Sequence, residues 1–259
     1  MSAAKLLETK GLTRRFGGLV AVNNVDLHVM PGEIVGLIGP NGAGKTTLFN
    51  MLAGSMPPSD GKVFFDGADC TGLPAHHMGQ LGVTRTFQIT SLFPELSVAE
   101  NIRIGTYRSK RSTWAHAILR AKLYRAEEAD VANTVQDILG FVGMAQRGGM
   151  AAKALPYGEQ RKLEIAIALA AAPRLLLLDE PAAGMNPDEG VKLVQMIRAI
   201  RDRGTTVLLV EHHMRVVMGV CDRVVVIDSG SKIAEGLPAQ VANDPEVIRV
   251  YLGREKVHA

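Results

Sequence analysis

The chain has 259 residues, a formal net charge of +3 and an apolar fraction of 47%, enough to core one large α/β domain or two small ones. So mild a charge gives no argument for nucleic acid, and no stretch reaches the roughly 18 uninterrupted apolar residues of a membrane span. Cys70 and Cys221 are unlike a disulfide framework or a zinc cluster, and MSAAKLLETK lacks the layout of a signal peptide; both point to a reducing cytosol.

Taken in order, Leu12–Val29 alternates loosely and is rich in Val, which predicts strands. Pro31-Gly32 is a turn, and Glu33–Ile38 is a short apolar run of the buried-strand kind. A glycine-rich segment follows, then Lys45–Ala53 with helical period, then strand candidates at Lys62–Asp66 and Val83–Phe87. The texture changes at Ser97-Val98-Ala99-Glu100, which has capping-box spacing. A Lys/Arg/Glu/Ala-rich stretch runs on to Asp137, within a mostly helical segment ending near Met150. Strand signals return at Leu175–Leu178, Thr206–Val210 and Val224–Ile227, with helix-like segments between them. Strands alternating with helices imply a parallel, doubly wound core.

The glycine-rich segment is Gly39-Pro40-Asn41-Gly42-Ala43-Gly44-Lys45-Thr46, the P-loop pattern. Such a turn faces consecutive backbone N–H groups inward around phosphate oxygens, and the helix N-terminus adds positive potential. Lys45 reaches the β- and γ-phosphates and the Thr46 hydroxyl ligates Mg²⁺, with Thr47 beside them. A chance match somewhere in the chain is roughly 1% at average residue frequencies, and the strand before and helix after fit the motif. At the far end, four leucines lead into Asp179-Glu180, placing carboxylates at the C-terminal end of a buried strand where open α/β sheets bind ligands. Asp179 is the candidate to hold Mg²⁺, directly or through water, and Glu180 to polarise an attacking water. Val207–Val210 likewise leads into Glu211-His212-His213, where His212 is either a solvated loop residue or a γ-phosphate contact. Gln88 either caps backbone or serves a site, and Phe16 is either core or a platform for adenine.

The order of these features resembles the nucleotide-binding subunit of ABC transporters, over essentially the whole chain from Leu12 to Val250-Tyr251-Leu252-Gly253. The resemblance implies an α/β fold: a P-loop NTPase (RecA-like) core with an N-terminal antiparallel β region. A helical subdomain near 89–158 is inserted between core segments 1–88 and 159–259. It also implies that Phe16 stacks adenine, that Gln88 senses Mg²⁺ and the γ-phosphate, and that His212 is the switch histidine. Leu155-Pro156-Tyr157-Gly158-Glu159-Gln160 then falls on the signature loop, which acts in trans on a partner's nucleotide. Its usual serine is replaced by Pro156. Losing a hydrogen bond to a charged group there costs roughly 10- to 150-fold at the affected site. Asn186, in Pro181–Asn186, stands where most family members have Asp.

Arg14–Leu19, Arg85–Gln88, Tyr157–Ala166 and Pro181–Pro187 are most similar to the ATPases of branched-chain amino acid uptake. The implied assembly is ATP and Mg²⁺ between this chain and a second ABC ATPase, on integral membrane permease subunits that a solute-binding protein supplies. It would lie peripherally on the cytoplasmic face of the cell membrane, with no nucleic acid. Two alternatives stand beside it: the lipopolysaccharide-export ATPase, and a non-transport ABC ATPase acting on nucleic acid or ribosomes. Arg108–Arg111 is a basic cluster, read as a solvated helix face or a neighbour of lipid headgroups.

Overall fold

A computed structural model describes residues 4–86, 92–106 and 121–255, with the backbone alone at 121–126 and 252–255. Its contacts divide the chain into two compact units, Met1–Arg85 with Arg174–Ala259, and Thr86–Pro173.

The first unit holds two sheets. One is antiparallel: β1 (Leu7–Phe16), β2 (Leu19–Val25), β3 (His28–Val29), β5 (Asp60–Phe65) and β6 (Ala68–Asp69) run in the order β2-β1-β5-β6, with β3 also on β1. The other comprises β4 (Ile34–Ile38), β7 (Val83–Arg85), β8 (Leu175–Asp179), β9 (Thr206–Val210), β10 (Arg223–Asp228) and β11 (Ser231–Gly236), in the order β11-β10-β4-β9-β8-β7. Every pairing in it is parallel except β10–β11. Each residue of β4, β8 and β9 is buried, which is why these strands read as unbroken apolar runs rather than alternating ones. The polar edge strand β11 gave no such signal. It is fixed by a two-residue turn, Ser229-Gly230, in which both residues have positive φ, the geometry that matches strand twist in a hairpin.

Helices α1 (Lys45–Leu52), α2 (Ala75–Leu81), α6 (Pro187–Asp202), α7 (Met214–Val220), α8 (Pro238–Ala242) and α9 (Pro245–Glu255) belong to this unit. Asn186 caps α6: its side chain accepts from the Glu189 N–H at 3.0 Å, and Glu189 accepts from the Asn186 N–H at 2.9 Å. Pro187 occupies the first turn, where its missing donor costs nothing.

The second unit is helical: α3 (Val98–Thr106), α4 (Ala121–Phe141) and α5 (Tyr157–Ala170). The capping box ahead of α3 forms, with the Ser97 N–H donating to Glu100 at 2.7 Å and the Glu100 N–H to Ser97 Oγ at 3.2 Å. Asn101, fully buried, accepts from the Phe93 N–H and donates to the carbonyls of Phe93, Leu96 and Ser97. This unit runs on to Pro173, and within it α5 packs on α3 and α4. Among the described residues no helix is long and apolar enough to cross a membrane.

Candidate functional site

The P-loop joins β4 to α1. Gly39 has φ 153°, and a Cβ there would lie 2.1 Å from the Ile227 carbonyl oxygen on the neighbouring strand β10. Gly42 has φ 78° and open space where its Cβ would be. Lys45 is buried beneath the loop, its Nζ donating to the carbonyls of Gly39 at 2.7 Å and Pro40 at 2.9 Å. Burial pushes its ammonium below the ordinary lysine value, while the carboxylates of Glu180 and Asp179 oppose the shift. The first turn of α1 has no acidic side chain and its cap, Gly44, supplies none, so the positive end of the helix is not neutralised from within. Thr46 is exposed there and Thr47 half-buried.

Sheet order brings the remaining groups together. Asp179 ends β8 with its side chain 1% exposed, and Arg85, on the adjacent strand β7, donates to its Oδ2 at 2.6 Å. The same guanidinium reaches Asn50 Oδ1 at 2.5 Å. Glu180 follows in the left-handed region at φ 46°, its N–H donating to the Val210 carbonyl at 2.9 Å. Because β9 lies beside β8, Val210 pairs with Asp179 and the residues after β9 emerge next to Glu180. His212 Nδ1 stands 3.8 Å from Glu180 Oε1.

Two residues without a sequence-based role enter here. Arg85 is one. The other is Glu211, fully buried, whose Oε1 accepts from the Ala182 N–H at 2.8 Å. Its Oε2 accepts from the N–H groups of His212 at 2.9 Å and His213 at 3.0 Å, with His213 Nδ1 at 3.2 Å. The only signal in the sequence was an acidic residue where an apolar strand meets two histidines.

Phe16 ends β1 with 41% of its surface exposed, and the Arg14 guanidinium lies 4.7 Å from its ring centroid. Gln88 and Arg108–Arg111 lie outside the described residues.

Within the helical unit, Pro156 is the cap of α5 rather than a member of its first turn, at φ −54° and ψ 151°, and it makes no side-chain capping bond. Its carbonyl accepts from the N–H groups of Glu159 and Gln160 at 2.9 and 3.0 Å. The Gln160 side chain donates to the Leu155 carbonyl at 2.9 Å, and Glu159 is ion-paired with Arg147. Tyr157 and Gly158 thus provide the first donors of the helix, which no preceding helical carbonyl can satisfy. Buried Leu155 anchors the loop, while Tyr157 is exposed and accepts from Arg161 Nε at 3.1 Å and Nη2 at 2.8 Å.

A family profile described as ABC transporter matches residues 22–183, a span that includes the P-loop, Leu155–Gln160 and Asp179-Glu180. The chain belongs to the ABC transporter family. A second profile, described as branched-chain amino acid ATP-binding cassette transporter, matches residues 231–257. The chain is 43% identical to the high-affinity branched-chain amino acid transport ATP-binding protein LivG of Escherichia coli, over 96% of this chain and 98% of that one. It is 37% identical to the lipopolysaccharide export system ATP-binding protein LptB of Haemophilus influenzae, over 96% and 98%. Among solved structures, the ADP conformation of MJ1267, an ATP-binding cassette of an ABC transporter, superposes with a TM-score of 0.84 at 30% identity, covering 96% of this chain and 99% of that one. The solved cassette shares the fold of this chain, the α/β architecture expected from the sequence.

Proposed function

We propose that this cassette is the ATP-hydrolysing subunit of an importer for branched-chain or related hydrophobic amino acids. The observation that carries the reading is the full-length similarity to LivG, supported by the match of the C-terminal segment at 231–257. The export reading is supported less well, by a relative of lower identity.

Lys45 and the backbone donors of Gly39–Thr47 bind the phosphates, and Phe16 stacks on adenine. The Thr46 hydroxyl and Asp179 carboxylate are hard oxygen donors of the kind Mg²⁺ takes, so the residues present fit that ion. When bound it offsets charge on the β- and γ-phosphates. Glu180 polarises the attacking water, and His212, held against it, contacts the γ-phosphate. Gln88 relays the state of the site. The cassette works head-to-tail with a second ABC ATPase, identical or related, whose nucleotide meets Leu155–Gln160. Integral membrane permease subunits hold the pair at the cytoplasmic face, and a solute-binding protein supplies cargo to them. The division Thr86–Pro173 supports a helical subdomain inserted in a catalytic core.

Glu180→Gln is expected to keep Mg²⁺-ATP binding and abolish turnover; normal turnover would remove the role given to Glu180. Purification from membranes should recover permease subunits. Stable association with ribosomes or DNA instead would overturn the transporter reading.

A further inference from the structure

We propose that Glu211 and His213 form a positioning pair that sets His212 against Glu180. The inference rests on the hydrolytic role proposed above for Glu180, and it gives work to two residues outside that account.

The fully buried Glu211 carboxylate has one ion-pair partner among the described residues, His213. Burying a carboxylate is costly unless its lone pairs are filled. Here four N–H groups fill them, and their arrangement is specific. Oε1 holds Ala182, two residues beyond Glu180. Oε2 holds the backbone of His212 and His213. One side chain therefore fixes the loop that carries Glu180 to the loop that carries His212.

The contact to the His213 ring extends this order to the second histidine. An ionised carboxylate only accepts, so the His213 ring meets it by donating from Nδ1. The ring so oriented lies against that of His212, with centroids 4.2 Å apart and planes inclined by 37°. His212 Nδ1 then stands 3.8 Å from Glu180 Oε1. The chain of contacts runs from buried Glu211 through His213 to His212 and Glu180. A displacement of about 1 Å in such a set costs about 100-fold in rate.

The test uses the full chain and separates binding from turnover. Glu211→Gln keeps the size but turns one acceptor into a donor facing backbone N–H groups. His213→Phe keeps a ring to stack on and loses Nδ1; this ring is 45% exposed, so the substitution removes little packing. Fluorescent-ATP affinity, single-turnover hydrolysis at saturating Mg²⁺-ATP and the imidazole N–H resonance of His213 are measured, with Glu180→Gln alongside. Both substitutions are expected to lower the saturating rate about 10- to 100-fold with affinity unchanged. The protected His213 Nδ1–H signal of the parent chain should vanish in Glu211→Gln. Should Glu211→Gln fail to fold, His213→Phe decides alone. An unchanged saturating rate in His213→Phe, with Glu180→Gln inactive, overturns the pair. So does a loss confined to affinity. Normal turnover in Glu180→Gln identifies a failure of the hydrolytic reading itself.

Discussion

Arg85 and Asp179 meet at 2.6 Å across adjacent strands, with side chains 9% and 1% exposed. The carboxylate at the end of β8 thus takes its position from a cation three residues before Gln88. Removing one partner of a buried pair leaves the other charge uncompensated, at a cost of about 3–5 kcal/mol. Arg85→Ala should lower stability by about that amount in chemical denaturation. Arg85→Lys should cost less, because it keeps the charge but loses the fork that also reaches Asn50. A loss below about 1 kcal/mol for Arg85→Ala, the scale of an exposed pair, would show that Asp179 is held by other means.

The P-loop glycines separate two physical demands. At Gly39 a Cβ would sit 2.1 Å from the Ile227 carbonyl, so Gly39→Ala must push β4 from β10. At Gly42 a Cβ meets nothing within 4 Å and the substitution bears only the left-handed conformation, about 1–2 kcal/mol. Thermal unfolding should therefore show Gly39→Ala as the more damaging change. Equal losses would mean that the strand contact is not what selects glycine at 39.

Local chemistry made much of the candidate site legible. The P-loop, the leucine run into Asp179-Glu180, and the strand ending before His212 are contiguous signals, and their strands are buried on both faces. Arg85 and Glu211 were not legible, because each acquires its task from a neighbour across the sheet or from a separate loop. The edge strand β11 is polar and half-exposed, so neither an apolar run nor strict alternation marks it. The place of α5 depended on which helices it packs against, which periodicity does not report.

Pro156 bears on a third prediction. As the cap of α5 it supplies no side-chain acceptor. Pro156→Ser adds one, worth about 0.5–2 kcal/mol to the helix, together with a hydroxyl at the loop proposed to face the partner's nucleotide. The variant should unfold at a higher temperature and raise turnover at the partner's site in the assembled pair. A change confined to this chain's own site would contradict action in trans.

Glu164 supplies a pH dependence. It lies on α5 with its side chain 7% exposed, accepts from Arg161 Nη1 at 2.9 Å, and its Oε1 is buried with no donor among the described residues. Burial raises its pKa above 4.5, and the hydrogen bond and charge of Arg161 oppose the rise without cancelling it. The folded chain therefore holds this proton more tightly than the unfolded one. Its contribution to stability is fully present below about pH 4.5 and is lost as pH rises through the folded value. Glu164→Gln has no such titration. The melting temperature of the parent relative to Glu164→Gln should therefore fall as pH rises from about 4.5 toward neutrality. A difference that grows over that interval would mean Arg161 stabilises the carboxylate by more than burial costs it.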